Sequence, residues 1–397
     1  MRISTSQIFS QSLTYMNSSL NDVAELNMMN SSQKKINSPS DDPAGMGKVM
    51  ELRAYDQSLS GYIDNCSTSG DYLSLADESL VQVSENISAA MELTEQASTE
   101  TYTEEQLKMM ALEMESYLDS ILAIANTQMG SDSIFAGDDL GNNAFEKGLG
   151  VTLTNDSLQN SDFTSMTGEI DSTVKVQFLE DGTVGTDELD YRYSTDGGET
   201  WTTATLAAGD TELDLGTAQV ELVNGTAVTT ADDEGNGTEF YLREAVYYTG
   251  SDEAMTVGIS ESTTIDMTTV GSDIFGGVDS STSQPYEDPN LFETLSDAIV
   301  YMEIGDYDAV AACLDDLTAA HENVETGAAN IGARENKVTY TQQSLSQVQE
   351  ITTTSISREE DADAAQILVE LEQANYVYEA VLNSSADIMN MSLLDYV

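Results

Sequence analysis

Apolar residues recur at alternating intervals of three and four over two long stretches, one in each half of the chain. The first runs through Leu52, Tyr55, Leu59, Tyr62, Cys66, Ser69, Leu73, Ala76, Leu80, Val83, Ile87, Ala90, Thr94 and Ala97, and only Ser69 and Thr94 are polar. A 3.5-residue period held this long predicts a coiled-coil seam on a rod of about 70 Å. Its start is marked by Asp42, a good N-cap, followed by Pro43, whose missing N–H had no helical partner anyway. A second helix is predicted through Leu107, Met114, Leu118, Ile121 and Ala125. The seam spacing returns late in the chain at Val310, Leu314, Leu317, His321, Val324, Ala328, Ile331, Glu335, Val338, Gln342 and Leu345. Each long helix has one apolar stripe to cover, so the two are predicted to pack together.

Both ends carry weaker stripes: Phe9, Leu13, Met16, Leu20 and Val23 near the start, and Ile367, Leu371, Ala374, Tyr378, Val381, Ser385 and Ile388 near the end. Asn27 and Asn30 interrupt the first, and neither stripe is long enough to hold a helix alone in water. They are expected to fray in the monomer and to order on partner helices. Phe9, Leu13, Met16, Leu20, Val23, Ile367, Leu371, Tyr378, Val381 and Ile388 are therefore the candidate assembly interface.

Between the helical ends the period changes. Residues 131–290 hold 19 of the 27 glycines, and β-type runs at Val174–Leu179, Tyr191–Tyr193 and Tyr241–Tyr248 are separated by Asp181-Gly182, Asn224-Gly225 and Asn236-Gly237. Two similar segments, Ile134-Phe135-Ala136-Gly137 and Ile274-Phe275-Gly276-Gly277, bound this region and are expected to form its neck. The predicted fold class is mainly α with an all-β insertion. Residues 1–42 and 350–397 form terminal helices, 43–140 and 281–349 a coiled-coil domain, and 141–280 an outward-facing β domain.

Charge sharpens this division. The chain has 71 acidic and 13 basic residues, a formal net charge of −58. Nucleic acid and anionic membrane are poor partners for such a surface, because phosphates need clustered Lys and Arg. Residues 1–60 are nearly neutral, with five basic and six acidic residues, whereas 131–290 hold four basic and 32 acidic. The first segment can pack on copies of itself; the middle reads as a solvated exterior. No apolar run is long enough to span a membrane. Met1-Arg2-Ile3-Ser4-Thr5-Ser6-Gln7 lacks a secretory signal, so an external location would need export without a cleaved signal. Cys66 and Cys313 read as small core hydrophobes.

Catalytic patterns are scarce. His321 lies in a helical stripe without clustered ligands and reads as a polar core residue. Ser194-Thr195-Asp196-Gly197-Gly198-Glu199-Thr200-Trp201 resembles the Asp-box of sialidase-type propellers, a structural hairpin turn in those enzymes, and it occurs here once. Asp232-Asp233-Glu234-Gly235-Asn236-Gly237 imitates the start of a calcium loop, but Arg243 stands where the bidentate Glu belongs. No phosphate loop, metal-spaced His/Cys set or nucleophile elbow is present, and neither an enzyme activity nor a cofactor is expected.

The ends resemble the flagellin-related hook-associated proteins. The resemblance rests on Met1-Arg2-Ile3-Ser4-Thr5, Asn37-Ser38-Pro39-Ser40-Asp41-Asp42-Pro43, Ile134-Phe135-Ala136-Gly137, Gly332-Ala333-Arg334-Glu335-Asn336 and Met391-Ser392-Leu393-Leu394-Asp395-Tyr396. It covers about 1–140 and 285–397, and the middle is divergent. It implies a structural adaptor of the bacterial flagellum, layered between the first hook-associated protein and flagellin and packed against copies of itself. It also implies passage through the flagellar export apparatus with a cytoplasmic export chaperone. Filament flagellin and a surface carbohydrate-binding or sialidase-like protein are the rival readings.

Overall fold

The computed structural model describes residues 5–99, 101–232 and 236–394. Among them seven helices run in chain order: Thr5–Ser32 (α1), Pro43–Ala97 (α2), Glu104–Ala125 (α3), Ser272–Phe275 (α4), Leu291–Ile304 (α5), Tyr307–Glu360 (α6) and Ala364–Leu394 (α7). The chain divides into two compact units, residues 1–64 with 342–397 and residues 65–341, and α2 and α6 contribute to both.

The start of α2 follows from its cap: Asp42 Oδ1 accepts from the amides of Ala44 and Gly45 at 3.1 and 3.0 Å, leaving Pro43 at the first helical position. From Leu59 to Ala97 the predicted seam holds, with Leu59, Cys66, Leu73, Leu80 and Ile87 all buried. Before Leu59 it shifts. Tyr55 is exposed, and Val49, Leu52 and Asp56 take the covered positions. A 3.6-residue helix drifts about 20° per heptad from a strict 3.5 repeat, which moves the covered face by one residue over such a length.

Within residues 65–341 the second half of the seam is met by α6, where Val310, Leu317, Val324, Ile331 and Val338 are buried. His321 is half-buried, with its Nε2 2.6 Å from Ser84 Oγ of α2. Cys66 and Cys313 are both buried free thiols. α3 begins with a reciprocal capping box between Thr103 and Gln106. α5 is capped by Asn290 and stopped by Gly305, whose φ of 76° is left-handed.

The strands all fall between α3 and α5. Gln128–Met129 (β1) pairs with Asp132–Ser133 (β2). Then come Phe145–Thr152 (β3), Phe163–Gly168 (β4), Val174–Phe178 (β5), Gly182–Thr183 (β6), Leu189–Ser194 (β7) and Thr202–Leu206 (β8). Glu212–Asp214 (β9), Ala218–Leu222 (β10), Ala227–Val228 (β11), Glu239–Tyr248 (β12), Thr256–Ser260 (β13), Thr263–Asp266 (β14) and Val278–Asp279 (β15) complete the set. A sheet of order β15-β12-β5-β7-β8 carries β3 along β12, in register from Thr152↔Tyr241 to Phe145↔Tyr248. A smaller sheet, β4-β10-β9, shares one apolar core with it, where Phe163 meets Phe240 edge-on and Val176, Phe178, Val220 and Leu213 are buried.

β12 is covered on both faces. Phe240 and Leu242 enter that core, while Arg243 points the other way, toward α5. The hairpin β13–β14 lies on helices, since Asn65 Nδ2 of α2 donates to Gly258 O at 2.8 Å and Lys337 Nζ of α6 to Thr264 O at 3.4 Å. The two similar boundary segments meet as expected: Phe135 packs edge-on against Phe275, and Phe145, Phe292 and Tyr248 close the cluster.

Candidate assembly surface

Helices α1 and α7 lie along one another within the unit formed by 1–64 and 342–397. Their covered positions keep the alternating spacing on both sides. On α1 these are Ser12, Met16, Ser19, Val23 and Leu26; on α7 they are Ile367, Leu371, Ala374, Tyr378, Val381 and Ser385. The α7 stripe is the one legible in the sequence. On α1 only Met16 and Val23 of the predicted stripe face the seam, because serines at 12 and 19 hold the register that Phe9, Leu13 and Leu20 were expected to hold. Ser12 Oγ and Ser385 Oγ stand 2.6 Å apart across it.

Phe9, Leu13 and Leu20, which flank this seam on α1, are left 43, 39 and 45% exposed. On α7, Leu368, Val369, Tyr376, Val377 and Leu382 are exposed as well. Sequence reasoning missed these five, although the adjacent apolar pairs Leu368-Val369 and Tyr376-Val377 announce a helix with more than one apolar face. Tyr15, Tyr376, Val377, Ala380 and Val381 line an apolar groove of about 480 Å³ along the pair. Ile388 lies outside the residues whose side chains are described. The pair thus has a thin inner seam and much uncovered apolar surface, which favours association with further helices.

The root of the pair is built differently. Lys34 and Asp361 form an isolated antiparallel bridge, with Lys35 N donating to Glu360 O at 2.8 Å and Ala362 N to Gln33 O at 3.0 Å. Glu360, its side chain only 8% exposed, meets Lys34 Nζ at 2.5 Å and Arg53 Nη2 at 2.6 Å. Burial works against its charge, yet Lys34 and Arg53 hold its carboxyl below the usual range. Ile36 is buried beside Gly45, where a Cβ would stand 2.3 Å from Asp42 Oδ2 and 2.8 Å from Ile36 Cδ1. No periodicity signals this collar, because ion pairs between residues 307 apart leave no local pattern.

The other sequence candidates resolve as structure. Asp196 accepts from Ser194 Oγ at 2.7 Å, from Thr200 N at 2.8 Å and from Thr200 Oγ1 at 2.6 Å, and these bonds push its carboxyl down to about 2. The Asp-box segment is a self-satisfied hairpin turn between β7 and β8, with Trp201 stacked by Arg192 at 4.2 Å. In the calcium-like segment, residues 233–235 lie outside those described, and Asn236 binds both oxygens of Asp232. Arg243 is a buried docking residue, 3% exposed, paired with Glu293 and Asp297 of α5 at 2.9 Å each and with Thr152 Oγ1 at 2.7 Å. No group of three or more His, Cys, Asp or Glu among the described residues is arranged to hold a metal, and none of the described helices is long and apolar enough to cross a membrane.

The family description of the bacterial flagellin N-terminal helical region matches residues 3–139, and that of the C-terminal helical region matches 314–397. Together they span more than half of the chain, including α1, α7 and the collar. Solved structures that align with it include one described as a flagellar hook-associated protein from Vibrio parahaemolyticus, at 14% identity, 81% of this chain, 100% of that chain and a TM-score of 0.49. FlgL of Bacillus cereus aligns at 13% identity over 77% of this chain and 99% of its own, with a TM-score of 0.42. Flagellar hook associated protein-3 of Legionella pneumophila aligns at 10% identity over 78% and 98%, with a TM-score of 0.41. No curated protein sequence matches.

Proposed function

Since the chain belongs to the bacterial flagellin family and has a structural part in the flagellum, we propose that it is the hook–filament junction subunit, hook-associated protein 3. The observation that carries an assembly role is the α1/α7 pair, with apolar residues uncovered on both helices and Tyr376 74% exposed. A junction role in preference to a filament role is supported by the Met1-Arg2-Ile3-Ser4-Thr5 start and the Ser392-Leu393-Leu394-Asp395-Tyr396 end.

In this reading 1–42 and 350–397 line the inner tube, 43–140 with 281–349 form the next shell, and the acidic 141–280 region faces outward. Phe9, Leu13, Leu20 and the exposed face of α7 meet neighbouring copies, and the seam residues Met16, Val23, Ile367, Leu371, Tyr378 and Val381 hold each pair together. Layers of the first hook-associated protein on one side and flagellin on the other are matched mechanically, with no bond made or broken. Export without a cleaved signal, with a cytoplasmic chaperone, completes the reading.

Filament flagellin is the second reading, favoured by Pro39-Ser40-Asp41-Asp42-Pro43, which resembles flagellins equally. Copy number separates the two: a junction subunit is a trace band in sheared flagella, whereas flagellin is the dominant one. Antibody labelling at one band beside the hook is the expected micrograph, and labelling along the whole filament would overturn the proposal. A chain cut after residue 366 should abolish filament growth in a strain lacking the native gene; normal filaments would refute an assembly role for α7.

A further inference from the structure

The seam between α1 and α7 is too poor to account for their pairing by itself. Ser12, Ser19, Ala374 and Ser385 occupy four of its covered positions, so little apolar area is removed from water there. Within the collar, the isolated bridge Lys34↔Asp361 is a short backbone tie between the two loops at the root. What stands at that root is Glu360, nearly enclosed, with Lys34 after α1 and Arg53 of α2 both on its carboxylate. Exposed ion pairs contribute little, but a carboxylate enclosed at 8% exposure and deprived of its cations would be left desolvated. The neighbouring pair Lys48–Glu359 is far more open and makes a natural contrast.

We propose that Glu360 is a latch: it closes the root of the α1/α7 pair in the free monomer and thereby sets how much of the pair is preformed. Order then falls off along α1 and α7 with distance from the collar, since beyond it only the thin seam opposes chain entropy. Glu360 touches no neighbouring copy in this scheme and is a positioning residue for the surface that does. The consequence for assembly rests on the function proposed above: a pair closed at its root loses less entropy when neighbours dock, so the latch lowers the subunit concentration at which the junction layer forms.

Amide exchange on the full-length monomer tests the latch directly. In the parent, protection should be highest over 24–32 and 364–372 and decline along both helices away from the collar. Glu360→Gln should speed exchange in those two segments about tenfold, the loss expected when a charge-assisted contact is removed, while amides of 291–341 keep their parental rates. Lys34→Gln with Arg53→Gln, which removes the cations instead, should do the same, and Glu359→Gln should leave the profile unchanged. Parental exchange at 24–32 and 364–372 in both Glu360→Gln and the double variant would overturn the latch, as would equal loosening by Glu359→Gln. Growth of flagellin filaments from hooks supplied with graded concentrations of the same proteins then reports formation of the junction layer. A concentration requirement raised about tenfold in Glu360→Gln supports the preorganisation step. Loosened exchange with unaltered filament growth would leave the latch standing and overturn its link to assembly.

Discussion

Phe135 and Phe275 meet edge-on with ring centroids 5.2 Å apart, although 140 positions separate them in the chain. Their contact closes the neck through which the β region leaves and rejoins the helices. Phe145 and Phe292 pack on Phe275 at 5.8 and 6.0 Å, so one residue serves both sides of the neck. Phe275→Ala should therefore cost about 3–5 kcal/mol, the usual range for a buried phenyl ring. Chemical denaturation should report the loss as a lower midpoint. An unchanged midpoint would show that the cluster does not hold the neck.

Leu80 is fully enclosed on the seam of α2. Leu80→Asp buries an unpaired carboxylate and deletes apolar contact, a loss of several kcal/mol by either route. Thermal unfolding followed by circular dichroism should show the helical transition moving well below that of the parent. Val81, one residue on, is exposed, and Val81→Asp should leave the transition within a degree or two.

Arg243 docks β12 to α5 through Glu293 and Asp297. Removing it strands Glu293, so Arg243→Ala should cost about 3–5 kcal/mol. Arg243→Met combined with Glu293→Leu should recover most of that loss, because replacing both partners by apolar groups leaves no buried charge at either position. A double-mutant cycle measured by denaturation distinguishes coupling from simple additivity.

The pH dependence follows from opposed shifts. Burial, together with Asp288, Asp315 and Asp297, raises the Asp316 carboxyl. A raised acid contributes stability below its ordinary pKa and loses it as pH climbs through the raised folded value. Above the ordinary Asp pKa of about 4 the Asp316 contribution should fall as pH rises, and Asp316→Asn should flatten the slope of stability against pH there. Lowered groups act at the other end. Thr200 and Ser194 hold Asp196 down to about 2, so its contribution is present above the ordinary carboxylate range and disappears only as pH falls through about 2. Melting temperatures of parent and Asp316→Asn across this range would decide; parallel curves would remove Asp316 from the account.

The sequence by itself determined the elements and most of their faces. Sustained 3.5-residue spacing placed Leu59 through Ala97 and Val310 through Val338 on buried stripes, and Asp42-Pro43 marked the start of α2, because burial, period and capping are local properties of a helix. Paired segments at Ile134-Phe135 and Ile274-Phe275 announced the neck for a similar reason: the same residue types recur where the same packing is needed. Tertiary structure decided which face of α1 turns toward α7. Serines at 12 and 19 occupy the seam and Phe9, Leu13 and Leu20 remain outside it, a choice of face that runs against hydrophobicity and that period alone does not make. It also decided the charge partners. With 71 acidic residues to choose from, only the folded chain selects Glu360 for Lys34 and Arg53, and Glu293 with Asp297 for Arg243, since electrostatic pairing depends on distance and enclosure in space and is blind to separation along the chain.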